Sequence, residues 1–378
     1  MIKKRAIIIF SGYNQRAIIA FCRVAEKQKV PLIIIAKSES DPIFDTKYVK
    51  YVKYIREKLD LDLSYFKYIL NYIKSTEVFD EYFILPSSEA LNIFLLKNRE
   101  ELESLNFMIP LVDEITYNLI SNKYDFGELC KKHGIKVPKE IKVNDINRFP
   151  IVIKPKSYYT RDGRAIAPQI IKNMKMLKDF IAQNNLGDFY IQEYVEGESY
   201  YLLYYFSKDG SYESFSQKNI LQQSKGKSIV AAISAKVHKD DISNKFVEMF
   251  KSVGFTGLIM VEIRLYKGEY YMIEANPRLW GPSQLFVDSN CCFFESYLKD
   301  MGFNINMNES CNTKDNVRYF WLGGLIESLY KYGEIVFHTD NHDIFLRDFH
   351  EYLSNEIYLR EDTQNVFIKE IIGLLGGD

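Results

Sequence analysis

The chain has 378 residues, of which 47% are hydrophobic and 15% aromatic, and its formal net charge is −1. This size supports a large core divided over two or three domains, and the balanced charge excludes a strongly basic nucleic-acid-binding surface. No apolar run in the sequence approaches the roughly 18 residues of a transmembrane helix, so no membrane partner is expected.

The five cysteines follow no CxxC spacing and no mixed Cys/His spacing that would bind a metal. They are therefore expected to be reduced, mostly buried thiols, which is typical of a cytoplasmic protein. Their positions are Cys22, Cys130, Cys291, Cys292 and Cys311.

The amino-terminal segment alternates short apolar strands with helices. A strand at residues 6–10, a helix at residues 17–27 and a strand at residues 32–36 follow one another. This order predicts a doubly wound α/β domain, in which loops at the carboxyl ends of the strands bind ligands. The loops in that position are residues 11–15 and 87–89. The first of them lacks GxGxxG, so a dinucleotide is not the expected ligand.

The middle of the chain places two lysines at the ends of predicted elements. Lys123 opens a predicted helix that stops before Gly134, and Pro138 then forces an extended exit. Lys154 lies near the end of a predicted strand over residues 150–155, and a lysine ammonium is a compact charge suited to phosphate. A further strand over residues 189–195 leads into the polar sequence EGES.

Residues 257–282 are the most informative stretch of the sequence. They predict two strands joined by a three-residue turn at residues 267–269. Every second residue over positions 259–265 is aliphatic, which predicts a core face on the first strand. Ile273 and Ala275 continue that face on the second strand.

The same hairpin brings two carboxylates together. If Tyr266 pairs with Tyr270, then Glu262 lies directly opposite Glu274, and like charges on opposed Cβ positions destabilise a sheet. The simplest compensation is a bound divalent cation with Asn276 as a third oxygen ligand. The alternative is that one glutamate points to water or pairs with an arginine of the hairpin.

These segments, in this order, resemble the ATP-grasp superfamily, which includes biotin carboxylase, carbamoyl phosphate synthetase and D-alanine–D-alanine ligase. A glutamate followed on the next strand by E-x-N-x-R is its most specific signature, and the resemblance covers roughly residues 1–300. It implies an α/β protein with an α+β lid, in which an ATP-grasp fold follows a doubly wound pre-ATP-grasp domain. The expected amino-terminal domain comprises residues 1–115. The expected ATP-grasp domain comprises residues 116–300, with a lid at about residues 139–190. Residues 301–378 are expected to form a mostly helical extension that serves packing or dimerisation.

The resemblance also implies roles for single residues. Lysines bind the nucleotide phosphates. Main-chain groups of the hinge, the segment QEYVEGES at residues 192–199, bind adenine. An acidic residue of the same segment, Glu198 or alternatively Glu196, lies near the ribose. Two glutamates and an asparagine hold Mg²⁺, or Mn²⁺, and an arginine and a lysine assist the reaction. The implied residues are Lys123 and Lys154 for phosphate, Glu193 and Val195 for adenine, Glu198 for ribose, Glu262, Glu274 and Asn276 for metal, and Arg278 with Lys154 for catalysis.

The function implied by this resemblance is an ATP-dependent carboxylate–amine ligase. It would form an amide or peptide bond through an acyl phosphate and release ADP and phosphate, with an amino acid or peptide as the substrate by analogy and with a homodimer as one assembly. The alternatives are an ATP-grasp kinase acting on a hydroxyl and a non-catalytic ATP-binding module. Two positions depart from the family pattern. Ser199 replaces a common glutamate, and Arg264 replaces an apolar residue that packs beneath adenine, so Arg264 is expected either to stack on the base or to reach the phosphates.

Overall fold

The computed structural model describes residues 3–157, 159–307, 311, 313–339 and 342–376. Tyr158, four residues after Lys154, lies outside the described residues. Within the described part of the chain, no helix is long and apolar enough to cross a membrane.

The amino-terminal part is a parallel sheet covered by helices. Its elements are β1 (Arg5–Phe10), α1 (Gln15–Lys27), β2 (Leu32–Ala36), β3 (Val52–Ile55), α2 (Leu63–Thr76), β4 (Glu81–Ile84), α3 (Glu89–Lys97), α4 (Arg99–Ser104) and β5 (Phe107–Met108). The strand order is β3-β2-β1-β4-β5, with every pair parallel. Ile7 and Ile9 share a core with α1, whereas Ala6 and Ile8 share one with α2 and α3. Burial on both faces explains the unbroken apolar run of β1, and the predicted doubly wound domain is confirmed.

A small antiparallel sheet lies largely within the segment that we propose as the lid. Two helices lead into it, and one more packs on it; in order, the elements are α5 (Glu114–Ser121), α6 (Lys123–Lys132), β6 (Ile151–Pro155), β7 (Gln169–Ile171), α7 (Met174–Gln183) and β8 (Phe189–Glu193). The strand order is β7-β6-β8. Leu177 and Phe180 of α7 join the lid's own hydrophobic cluster, so the lid has a core separate from that of the large sheet.

The large antiparallel sheet carries the predicted hairpin. Its elements, and the helices between and after them, are β9 (Glu198–Phe206), β10 (Tyr212–Gln223), β11 (Ile229–Ala235), α8 (Asp241–Ser252), β12 (Gly257–Tyr266), β13 (Glu269–Asn276), α9 (Ser283–Asp288) and α10 (Phe293–Asp300). The strands lie in the order β13-β12-β9-β10-β11. Alternate residues of β9 enter two different cores, with Tyr201 and Leu203 on one face and Leu202 and Tyr204 on the other.

The carboxyl-terminal extension adds strands to this sheet as well as helices. Its elements are β14 (Arg318–Phe320), α11 (Leu322–Tyr332), β15 (Ile335–Phe337), α12 (His342–Arg347), α13 (Phe349–Leu353) and α14 (Gln364–Leu375). Strand β14 pairs with β11 and β15 pairs with β10. Asp362 also binds the amino-terminal domain, through Arg23 at 2.8 Å and Tyr48 at 2.8 Å. The extension thus packs within the chain, and the division at residues 115 and 300 stays our proposal.

The hairpin turn differs from the prediction. Lys267 and Gly268 form a two-residue turn with φ angles of 50° and 78°, which suits a type I′ hairpin, and Tyr266 pairs with Glu269 instead of Tyr270. A bulge at Ile273 then restores the register, so that Glu262 still pairs with Glu274. The predicted core position of Ile273 is wrong for the same reason, because the bulge exchanges it for Met272, which is buried.

The cysteine expectation needs correction at two positions. Cys292 and Cys311 form a disulfide, with their Cα atoms 5.9 Å apart and a sequence separation of 19. The expectation of five reduced thiols is therefore wrong for this pair, which meets only because the chain after α10 folds back to the start of that helix. Cys22, Cys130 and Cys291 are free and buried, as expected.

Candidate active site

The opposed carboxylates of the hairpin form the centre of the candidate site. Glu262 of β12 and Glu274 of β13 are directly paired across the two strands. Glu262 and the nearby Asn276 are buried, with exposed fractions of 6% and 4%. Two carboxylates held this close in a buried place repel each other unless cations neutralise them.

A cation lies against each carboxylate. Lys123 Nζ is 3.0 Å from Glu274 Oε2, and Arg264 Nη2 is 3.2 Å from Glu262 Oε1. Ser199 Oγ donates a hydrogen bond to the same Glu262 oxygen at 3.3 Å. An arginine partner, which the sequence left open as an alternative to a metal, is therefore present at Glu262.

The surroundings shift the ionisation of the two carboxylates in opposite directions. Burial raises the pKa of Glu262, and the positive charge of Arg264 offsets only part of this effect. Burial acts in the same sense on Glu274, but Lys123 and the hydrogen bond from Asn276 outweigh it and lower the pKa to about 2. Glu274 is thus an anion at neutral pH, which is the state that binds a metal ion.

Lys123 opens α6, as predicted, and the start of this helix holds its ammonium beside Glu274. Asn122 caps this helix, because its Oδ1 accepts hydrogen bonds from two main-chain N–H groups of the first turn at 2.9 and 3.1 Å. Burial lowers the pKa of Lys123, but the carboxylates of Glu274 and Glu89 outweigh it, so the pKa is raised overall. Lys123 therefore keeps its positive charge.

Lys154 reaches the same place from the lid. Its side chain is buried, and Nζ donates to the carbonyl oxygen of Ile273 at 2.8 Å. Ile273 is the bulged residue, so this carbonyl lies at the break in the hairpin ladder. Burial lowers the pKa of Lys154 to about 8, and the attraction of Glu274 does not make up for it because Lys123 adds repulsion.

Arg278 and Asn276 extend the site beyond the end of β13. Arg278 Nη2 donates to Asn276 Oδ1 at 3.2 Å, and Asn276 Nδ2 donates to Glu274 Oε1 at 2.9 Å. Arg278 Nη1 also donates to the carbonyl oxygen of Leu279 at 3.0 Å. The arginine is thus connected to the carboxylate of Glu274 through the asparagine amide.

Glu89 is a further site residue, which the sequence named only as part of the loop at residues 87–89. It begins α3 and lines a cleft of about 290 Å³, together with Lys123 and with Pro155 of the lid. Burial raises its pKa, while the charges of Lys123 and Arg278 oppose the rise. Glu89 makes no side-chain hydrogen bond or ion pair with any other residue that the structure describes. Its place after a strand of a doubly wound sheet is the signal that could have singled it out.

The hinge residues lie in different parts of the structure, with Glu193 at the end of β8 and Glu198 at the start of β9. The main-chain N–H of Glu193 donates to Lys139 at 2.9 Å within the lid, and the carboxylate of Glu193 lies 2.8 Å from Arg148. Val195 follows in the exposed connection to β9 and makes no hydrogen bond with the described residues. Glu198 forms an ion pair with Lys218.

Glu198 is not brought together with the hairpin carboxylates. It accepts a hydrogen bond from the hydroxyl of Tyr200 at 2.6 Å and, by strand alternation, lies on the face of β9 opposite Ser199. Ser199 faces Glu262 instead. The predicted contact between Glu198 and ribose stays a prediction, as do the roles of the other site residues.

The oxygen atoms of the hairpin fit a hard divalent cation. Mg²⁺ binds one or two carboxylates and completes its shell with water and phosphate oxygens, and Mn²⁺ accepts the same donors. Glu262 and Glu274 supply the carboxylates here, and Asn276 supplies an amide oxygen. No group of three or more His, Cys, Asp and Glu side chains is arranged for a metal in the described ranges.

Comparison with known proteins agrees with this geometry. Residues 120–282 match the family model described as the ATP-grasp domain. Biotin carboxylase from Campylobacter jejuni, in a complex with an ATP analogue, is 19% identical, with a TM-score of 0.61 over 82% of this chain and 74% of that chain. The biotin carboxylase domain of Hydrogenobacter thermophilus 2-oxoglutarate carboxylase, in a complex with MgADP and bicarbonate, is 13% identical, with a TM-score of 0.61 over 84% and 74%.

An amino-acid ligase has the same fold. The L-amino acid ligase from Bacillus licheniformis is 16% identical, with a TM-score of 0.60 over 83% of this chain and 78% of that chain. No protein of curated function matches the sequence. At these identities the solved structures are evidence of fold alone. The family model thus identifies an ATP-grasp domain at residues 120–282, and the chain shares the overall fold of these proteins.

Proposed function

We propose that this protein is an ATP-dependent carboxylate–amine ligase that forms an amide or peptide bond and releases ADP and phosphate. The observation that carries the proposal is the convergence on one hairpin edge of two carboxylates and two cations from other segments. Glu262 and Glu274 are paired there, Lys123 lies 3.0 Å from Glu274, and Lys154 binds the adjacent bulge at 2.8 Å. A site of this composition can hold a metal nucleotide and spread the charge of a transferring phosphoryl group.

The residues of the chain have separate tasks in this proposal. Glu262, Glu274 and Asn276 would hold Mg²⁺, which neutralises charge on the transferring phosphoryl group when it is bound. Lys123 and Lys154 place fixed positive charge beside the phosphates, and such preorganised charge is strongest where water is excluded. The lid that carries Lys154 closes over the cleft and protects the acyl phosphate from hydrolysis.

The charges at the ends of the site suit a carboxylate and an amine. Arg278 has a forked guanidinium that matches a carboxylate or the phosphoryl group it receives. Glu89 supplies a carboxylate with no partner among the described residues, which suits the ammonium of an incoming amine. An amino acid or a peptide carries both groups and is the substrate class that we propose, with no role for a nucleic acid or a membrane.

The place of action follows from the reaction. A ligase of this kind consumes ATP, so we place it in the cytoplasm, where ATP is supplied and where the disulfide between Cys292 and Cys311 would be reduced. A homodimer stays part of the proposal, to be measured by light scattering.

The test separates a ligase from a kinase and from a binding module. Carboxylates and amines are screened in pairs for ADP release, with products identified by mass spectrometry. With its acid and without the amine, a ligase should form an acyl phosphate, which hydroxylamine converts to a hydroxamate, and an ¹⁸O label in the acid should pass into phosphate. A stable phosphate ester without hydroxamate would assign a kinase, and nucleotide binding without ADP release for any pair would assign a binding module.

A further inference from the structure

Arg264 is held on three sides at the centre of the site. It lies two residues after Glu262 on β12, directly opposite Ser199 of β9, and 11% of its side chain is exposed. Its Nη2 binds Glu262 at 3.2 Å, and its Nη1 lies 3.4 Å from the carbonyl oxygen of Gly197. The third partner is His338, whose Nδ1 is 3.0 Å from Nη1.

His338 belongs to the extension, far from Arg264 in the sequence. It follows β15, and its main-chain N–H donates to the carbonyl oxygen of Ile220 at 3.0 Å, which continues the pairing of β15 with β10. The ring is buried, and its Nε2 lies 2.8 Å from Gln222 Oε1. Strand pairing thus fixes the imidazole in front of the guanidinium.

The tautomer of His338 follows from its two partners. A guanidinium has only donors, so Nδ1 of the ring must accept the hydrogen bond from Arg264. Nε2 then carries the hydrogen and donates it to Gln222. The ring is neutral in this arrangement, and it orients the arginine without adding charge. Burial and the nearby guanidinium act in the same sense and lower the pKa of His338 to about 3.

The partners of Arg264 place it between the two ends of a bound nucleotide. Gly197 is two residues after Val195 in the hinge, where the adenine is expected under the proposed function. Glu262 belongs to the metal site, where the terminal phosphates are expected. A nucleotide that spans these points passes its sugar and α-phosphate over Arg264. Of these two groups, only the phosphate carries the negative charge that a guanidinium recognises.

We propose that Arg264 contacts the α-phosphate of the bound adenine nucleotide and that His338 is the residue that positions it. This inference rests on the proposed function. Residues 301–378 then complete the nucleotide site of the domain that precedes them, a role that no motif in their sequence indicates. The contact explains two departures from the family pattern together, because Arg264 and Ser199 are cross-strand neighbours and both bind Glu262.

The test compares ligands that differ by one phosphate. Adenosine and AMP are titrated into the protein by calorimetry without divalent metal, so that the metal site does not contribute. Arg264→Gln should lower the affinity for AMP about tenfold, the loss of one charge-assisted hydrogen bond, and leave the affinity for adenosine unchanged. An equal loss for both ligands, or no loss for AMP, would overturn the contact with the α-phosphate.

Variants of His338 test its positioning role. His338→Phe removes both hydrogen bonds of the ring and should reproduce much of the AMP defect. His338→Gln can accept from Arg264 and donate to Gln222, so it should restore affinity. His350→Phe is the matched control, since His350 is an exposed histidine of the same extension. The His338→Phe effect should vanish in the Arg264→Gln background, and an effect that persists there would show that His338 does not act through Arg264.

The outcomes separate this inference from the proposed function. A wild-type protein that binds neither adenosine nor AMP, and also fails to bind MgATP, would refute the proposed function itself. A protein that binds MgATP and both ligands but shows no selective AMP defect in Arg264→Gln would refute only the inference. The thermal midpoint of each variant is measured beside wild type, and the AMP-to-adenosine ratio is insensitive to a general loss of folded protein.

Discussion

The substitution Lys154→Met should make the protein more stable while it weakens nucleotide binding. Burial lowers the pKa of Lys154 from its ordinary value of 10.5 to about 8, and at about 1.4 kcal/mol per pH unit this costs about 3 kcal/mol at neutral pH. Only 5% of the residue is exposed, so solvent screens little of this effect. Loss of the hydrogen bond to Ile273 offsets about 1 kcal/mol. The expected net gain is about 2 kcal/mol.

The pH dependence of this gain has a definite sign. Below pH 8 the lysine is charged in both the folded and the unfolded chain, and the full cost of burying the charge is present. Between pH 8 and 10.5 the unfolded chain keeps the proton that the folded chain has lost, so the free energy of unfolding of the wild type rises with pH relative to the variant. The advantage of Lys154→Met should therefore shrink across this window.

Urea denaturation without nucleotide, at neutral and at alkaline pH, measures both effects. Lys156→Met is the matched control, because Lys156 is exposed just beyond the same strand and its loss should change stability little at either pH. Lower stability of Lys154→Met at neutral pH, or a difference from wild type that does not change with pH, would refute the reasoning. The same variant should bind ADP about tenfold more weakly or worse, and unchanged affinity would remove Lys154 from the phosphate site.

Two further changes test the carboxylates and the disulfide. Glu274→Gln should abolish ADP release with Mg²⁺ present, while its circular dichroism spectrum stays unchanged. The control Glu269→Gln, at an exposed glutamate of the same hairpin, should keep its activity. Wild-type turnover in Glu274→Gln would refute the assignment of Glu274 as a metal ligand. Cys292→Ser should lower the free energy of unfolding under oxidising conditions by about 3 kcal/mol, the value for a loop of similar length. Treatment of the wild type with a reductant should have the same effect. Equal urea midpoints of the wild type with and without reductant would exclude a stabilising disulfide.

The pairing of Glu262 with Glu274 was predictable, although the reasons for it were only partly correct. The alternation of the first strand and the spacing of the two glutamates indicated a hairpin. A turn one residue shorter than expected would alone shift the register, and a bulge at Ile273 corrects it. The register shifts caused by the turn and by the bulge cancel each other. The two glutamates therefore pair as predicted, whereas the residues on the core face of β13 differ from the prediction. The sequence pattern therefore determined which side chains are paired, but it did not determine the turn and bulge that produce this pairing.

Two contacts between distant segments were beyond reach of the sequence. His338 lies in a stretch with no motif, and only the pairing of β15 with β10 brings it to Arg264. Cys292 and Cys311 meet because the chain reverses direction between them, and their spacing in the sequence does not predict this. The fold of the amino-terminal domain was predictable, because strand and helix periodicities are local properties of the chain.

The charge balance of the cleft links these observations to the proposed reaction. Four cations, Lys123, Lys154, Arg264 and Arg278, surround three carboxylates, Glu89, Glu262 and Glu274. Each carboxylate lowers the repulsion among the cations before a ligand arrives, and Lys154, which has no carboxylate in direct contact, is the group whose pKa falls. Under the proposed function, an anionic nucleotide would relieve this remaining repulsion. These residues carry one more positive charge than the carboxylates can neutralise, and under the proposed function this excess is what binds the phosphates.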